Sequence, residues 1–202
     1  KKEANEWIGL QQDSDLSTED KIKATIDTYF TLKYESWKRG ELLDFAFLVD
    51  LSDPQASEDY AYERGLLYFL ITGWKWWNAL LISYDYDLTY NRIEIDGDQA
   101  IVTVFPLAQI VHKDTPDKVD PHSWTMHNFS LIRKNSRWLI KSIDVKDENH
   151  DIYPPGTNFS ELAETFAERQ EEFLKAQKKY KQNDSSENEQ QKKRREESIK
   201  KL

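Results

Sequence analysis

The chain has 202 residues, a formal charge of −9, 38% hydrophobic and 13% aromatic residues, and no cysteine. These values exclude a disulfide scaffold, a thiol nucleophile and any cysteine-ligated zinc or iron–sulfur centre. No apolar run reaches the ~18–20 residues of a membrane span, and the acidic balance argues against nonspecific nucleic-acid binding.

The chain opens on Lys1-Lys2, which reads as a processed or trimmed start with any targeting signal outside it. Residues 1–16 are polar apart from Trp7, Ile8 and Leu10, and read as a flexible lead-in able to dock locally. Ser17 and Asp20 form a capping box. Ile22, Ile26, Tyr29, Phe30, Lys33 and Trp37 then recur at helical spacing, and Gly40 supplies a left-handed stop. A short second helix is predicted over Glu41–Leu51 and ends at Asp53-Pro54. A third, from about Ser57 to Leu80, turns Tyr60, Leu67, Leu70, Ile71, Trp74 and Trp77 to the core.

The period then changes to two. Tyr84, Tyr86, Leu88 and Tyr90 alternate with polar residues, and Asp96-Gly97-Asp98 marks a hairpin into a strand over Ala100–Val111. Lys113–Pro121 reads as a polar loop. A second hairpin joins Ser123–Arg133 to Arg137–Val145 through Lys134-Asn135-Ser136. Helices first and antiparallel strands after predict an α+β domain over residues 17–157. Beyond it, residues 158–202 read as a charged helical connector or tail. There Phe159, Phe166, Phe173 and Tyr180 recur every seven residues as an aromatic stripe, which serves either its own domain or a partner.

Three stretches are more particular: residues 21–50 (KIKATIDTYFTLKYESWKRGELLDFAFLVD), 91–104 (NRIEIDGDQAIVTV) and 126–148 (MHNFSLIRKNSRWLIKSIDVKDE). Over Asp20–Glu148 the chain resembles the nuclear transport factor 2-like, SnoaL-like or cystatin-like, cone. More narrowly, it resembles the accessory domain that precedes an amidase domain in secreted or envelope-anchored proteins of Gram-positive bacteria. The resemblance implies three N-terminal helices packed on a strongly curved antiparallel sheet, with a pocket between them. It also implies an extracellular or cell-envelope location and a downstream catalytic domain. The amidase domain itself is not in this sequence, so its activity does not carry over.

That pocket is where the resemblance implies a site. His127 shares a strand face with Thr125, Phe129 and Leu131, and is a candidate base. Asp144 shares a face with Trp138, Ile140 and Ser142, so a His127–Asp144 pair is the sharpest catalytic hypothesis. Asp27 and Glu35 lie on the first helix, with Asp27 pointing to solvent. Trp37, Trp74, Trp77, Tyr84, Tyr86, Tyr90, His127, Phe129 and Trp138 are the predicted pocket lining. Trp74, Trp76 and Trp77 cannot all face one stripe, and offer a thick core wall or a saccharide-stacking platform.

No metal site is predicted: His122 and His127, five apart on one strand, fall on opposite faces, and the acidic loop around His112, Asp114, Asp117 and Asp120 lacks calcium-hand spacing. No cofactor motif is present. The expected function is a noncatalytic accessory domain binding a small-molecule or cell-wall ligand. The alternative is an acid/base enzyme of isomerase or dehydratase type. The implied partners are a downstream catalytic domain and a second copy of the chain, with no nucleic acid and no membrane span.

Overall fold

Ser17 starts the helix that organises the domain. In the computed structural model, which describes residues 2–123, 125–145, 153, 156–165, 168, 169, 171 and 175, α2 spans Thr18–Arg39. The Ser17 hydroxyl accepts from the Asp20 N–H at 3.1 Å, and Asp20 accepts in return from the Ser17 N–H at 3.2 Å. Gly40, at φ +67°, closes the helix, and a Cβ there would meet Leu80 at 2.9 Å.

The expected lead-in docks locally, and it does so as a helix. Lys2–Gln12 form a helix, α1, with Trp7 and Gln11 buried. Trp7 Nε1 and Gln11 Nε2 both donate to Thr25 Oγ1, at 3.1 and 3.3 Å. Ile8 also packs against the core, and Glu3 pairs with Arg39 at 3.6 Å.

The expected helix over Glu41–Leu51 is replaced by a 3-10 turn, Ala46–Leu48. Leu48, Val49 and Asp50 are buried in succession, which the single stripe of an amphipathic helix does not achieve. The backbone instead pairs with the sheet: the Asp50 N–H donates to Ile140 O at 2.9 Å. Asp53 then caps α3, Pro54–Trp76, accepting from the Gln55 and Ala56 N–H groups. This helix ends before the expected Leu80, and Asn78 has a left-handed backbone at φ 57°.

Five antiparallel strands follow: β1 Leu81–Asp96, β2 Gln99–His112, β3 Asp120–Ser123, β4 His127–Lys134 and β5 Arg137–Val145. Their order is β1-β2-β4-β5, with β3 also paired to β2. Gly97, and Asn135 with Ser136, have positive φ at the two hairpin turns. The strand expected over Ser123–Arg133 is divided. β3 lies beside Leu107–Ile110 and β4 beside Gln99–Val104 of the same β2. The break falls at Phe105-Pro106, where Pro106 has no N–H to give the ladder.

Register shifts leave Ile82, Asn91 and Lys141 as extra residues, and such bulges bend and twist strands. One face of the bulged sheet takes α2. Ile22, Ile26, Tyr29 and Phe30 cluster with Val102, Val104, Phe129, Leu131, Trp138 and Ile140; each such buried side chain contributes about 1.5–3 kcal/mol. A second cluster joins Tyr34 and Trp37 to Leu81, Ala108 and Ile110.

The β5 edge is not left open. Gln11 Oε1 accepts from the Trp138 N–H, Thr25 Oγ1 donates to Trp138 O, and Asp59 Oδ2 accepts from the Ile143 N–H. Residues 159–165 are helical, and Phe159 packs on α3 at Gly65, Tyr62 and Phe69. Phe166, Phe173, Tyr180 and the basic run Lys192–Arg195 lie outside the described residues. Among the described residues no helix is long and apolar enough to cross a membrane.

Candidate functional site

Tyr29 and Lys33 sit one turn apart on the buried stripe of α2, and Glu63 occupies a core position on α3. The three converge. Tyr29 OH donates to Glu63 Oε2 at 2.8 Å, and Lys33 Nζ reaches the same oxygen and Tyr29 OH, each at 3.3 Å. Burial by itself raises Glu63, but the Lys33 charge, then His127 and the two hydrogen bonds, hold it below the usual carboxylate value. Tyr29 is pushed well up, first by burial and then by the Glu63 charge and hydrogen bond. The cluster is an ionised carboxylate clamped by a phenol and an ammonium. A group held this way is a strong hydrogen-bond acceptor and a weak base.

His127 lies next to this cluster, 1% exposed. Its ring is edge-on to Phe30 at 5.0 Å and to Tyr29 at 6.3 Å, and stacks on Phe129 at 5.8 Å. Nδ1 donates to Thr125 O, which fixes the ring's orientation.

The expected His127–Asp144 pair does not form. The Lys141 bulge reverses the alternation of β5, so Ile143 and Val145 turn inward and Asp144 is exposed. Asp144 pairs across the ladder with Asn128, while His127 pairs with Val145. The carboxylate that interacts with His127 is Glu63, from helix α3 and not from a strand. The opposite-face expectation for His122 and His127 also fails, because the two lie on separate strands. His122 is edge-on to Tyr34 and Trp37, and His127 to Tyr29 and Phe30, all on α2. Burial, then His112 and Lys33, lower the His122 pKa. Among the described residues no group of three or more His, Asp or Glu is arranged to hold a metal ion.

The predicted lining residues are dispersed. Trp37 and Trp74 stack at 3.9 Å, and Trp37 Nε1 donates to Ala79 O. Tyr84 and Tyr86 stack on Tyr34 at 5.1 Å each. Their hydroxyls donate to Glu35 Oε1 and Asp27 Oδ1. Tyr90, Phe129 and Trp138 belong to the main core. Trp76 and Trp77 stand out, 39% and 57% exposed. Asp147 and His150 lie outside the described residues.

A cavity of about 470 Å³ opens elsewhere. Its described lining comprises Gln55, Glu58, Asp59, Ala61, Tyr62 and Glu63 of α3, Ile143 of β5, and Gly156, Thr157 and Phe159. None of the nine predicted lining residues borders it. Glu63 belongs to both features: its carboxylate anchors the buried cluster, and the residue is part of the cavity lining. A signal for it was present. Lys33 and Glu63 each interrupt an apolar stripe, and two charges buried on neighbouring helices imply one another.

No family profile matches the chain, and no curated protein matches it. Solved structures do. An NTF2-like family protein from Streptomyces avermitilis is 14% identical, over 62% of this chain and 94% of its own, with a TM-score of 0.40. The Kfla4162 protein from Kribbella flavida is 15% identical, over 61% and 88%, at 0.37. An NTF2-like protein of unknown function from Shewanella oneidensis is 13% identical, over 60% and 95%, at 0.34. In this chain α2 lies across the inner face of a bulged antiparallel sheet that follows the helices. This α+β arrangement is similar to that of these NTF2-like structures. The cone here is filled by its own tyrosine and phenylalanine rings, and its charged cluster is turned toward α3.

Proposed function

We propose that this chain is a noncatalytic accessory domain of a bacterial protein acting at the cell envelope or outside the cell. It holds a cell-wall ligand for an amidase-type domain that follows it. The observation that carries this reading is the burial of His127. The imidazole is enclosed by Tyr29, Phe30 and Phe129, where a substrate for proton transfer would have to sit. Two further features support it: the sequence resemblance over Asp20–Glu148, and the exposed indoles of Trp76 and Trp77, which suit stacking on sugar rings.

The test is sedimentation of the purified chain with isolated Gram-positive cell walls. The chain is expected in the pellet, and Trp76→Ala with Trp77→Ala is expected to shift it to the supernatant. A chain that stays in the supernatant at every wall concentration removes the reading.

One observation favours an acid/base enzyme: an open cavity reaches Glu63. That reading requires Glu63 to accept a substrate proton. Its mark is deuterium wash-in from solvent into a bound carbonyl compound, abolished by Glu63→Gln. A second copy is the other proposed partner, because the outer sheet face exposes Ile101 and Leu107. A monomer by light scattering at high concentration removes it.

A further inference from the structure

We propose that the cavity between α3, the end of β5 and the turn after Gly156 binds the ammonium end of a small aliphatic amine. The inference deepens the binding-domain reading and rests on it for the ligand's source, the free amino groups of wall peptides.

Charge and shape point the same way. Three carboxylates line the cavity, Glu58, Asp59 and Glu63, with no lysine or arginine among its described lining. Glu63 is the deepest, its side chain 7% exposed. Oε2 takes both the Tyr29 and the Lys33 hydrogen bonds. Oε1 accepts none from the described residues, and Glu63 is part of the cavity lining, so this oxygen is the one left for a donor placed there. Lys33 offsets part of the charge from behind, and Glu58 and Asp59 restore it nearer the mouth.

Asp59 is already positioned. It accepts from Gln55 Nε2 at 2.7 Å and from the Ile143 N–H at 3.1 Å. Tyr62 and Phe159, edge-to-face at 5.4 Å, add aromatic wall on which a cation or its methylene stem can lie. Ile143 and Ala61 complete the apolar part.

A bare metal ion fits less well. The carboxylates are spread along the lining and do not converge as a metal-holding group. The volume of about 470 Å³ is in the ~300–1,000 Å³ range of small-molecule sites. The ligand is therefore an extended cation with an apolar stem, not a point charge.

The experiment is calorimetric titration with 1,5-diaminopentane, using glutarate as an anion of matching length. The diamine is expected to bind at least about tenfold more tightly than glutarate, a difference of about 1.4 kcal/mol. Glu58 is exposed, so Glu58→Lys tests the charge without disturbing the core, and is expected to weaken the diamine at least about tenfold. Glu63→Gln is expected to do the same, and if it fails to fold, Glu58→Lys decides. Equal binding of glutarate, or a diamine affinity unchanged by Glu58→Lys, overturns the proposal. So does no diamine binding at millimolar concentration. A chain that ignores the diamine yet sediments with cell walls loses this inference and keeps the binding-domain reading.

Discussion

Lys33 Nζ and Glu63 Oε2 meet 3.3 Å apart, with both side chains more than nine-tenths buried. This contact ties α2 to α3 at the level of the cone's aromatic filling. Tyr29 OH joins it, donating to Glu63 and accepting from Lys33, so each polar atom of the contact offsets part of another's desolvation.

Removing one partner leaves a charge buried without its counter-ion. Lys33→Met is expected to cost about 3–5 kcal/mol, the usual size for such a break. The double replacement, Lys33→Met with Glu63→Leu, is expected to recover most of it. Urea unfolding of the two variants checks this. Equal losses in the single and the double would show that the charges do not stabilise through each other.

The same pair sets an acid limit. Glu63 lies below its ordinary value of 4.5 in the fold, because the Lys33 charge and its hydrogen bonds outweigh burial. Asp50 is also lowered: burial opposes, and the hydrogen bonds from Lys134 and Ser52 prevail. Both groups hold a proton less tightly folded than unfolded. Their stabilisation is therefore complete above the unfolded values and disappears as pH falls through the lower folded ones. Unfolding midpoints measured from pH 6 down to pH 3 should drop steeply below about 4.5. Glu63→Gln should start lower and fall less.

Gly65 allows Phe159 to seat on α3. A Cβ there would meet Phe159 Cδ2 at 2.8 Å and Cβ at 3.4 Å. Gly65→Ala favours the helix by about 1 kcal/mol, yet it is expected to displace the segment that begins at Gly156. Amide exchange should speed up over residues 159–165 and stay unchanged across α2. Protection retained in both would show that the ring adjusts in place.

Gln11 covers an edge. Its Oε1 accepts from the Trp138 N–H, and its Nε2 donates to Lys21 O at 2.8 Å. Gln11→Leu keeps the bulk and strands that buried N–H, at a cost of about 1–3 kcal/mol. Denaturant midpoints should fall, and the exposed β5 edge should promote association visible by light scattering. A variant as stable and as monomeric as the parent would rule this out.

The elements that could be read from the chain are those with local causes. Ser17 and Asp20 are three residues apart and close on each other without help from the rest of the fold. Gly97, Asn135 and Ser136 mark turns through their own backbone preferences. The period change at Tyr84 needed only the alternation of neighbours. The failures share another cause. Glu41–Leu51 is apolar enough for a helix, but its backbone pairs at Asp50 with Ile140, ninety positions away. Unbroken alternation puts Asp144 on the face of Trp138 and Ile140, and one extra residue at Lys141 turns it out. Register of this kind depends on the partner strand, which no local window contains.

By itself, then, the amino-acid order determined an α+β chain with capped helices, two tight hairpins, a dense aromatic interior and no thiol chemistry, since each follows from residue type and short-range spacing. Only the tertiary arrangement decided that His127 is enclosed, that Lys33 finds Glu63, and that Glu63 borders a cavity with Tyr62, Ile143 and Phe159. Those outcomes depend on which distant surfaces exclude water together, and burial is a property of the assembled layers, not of any one segment.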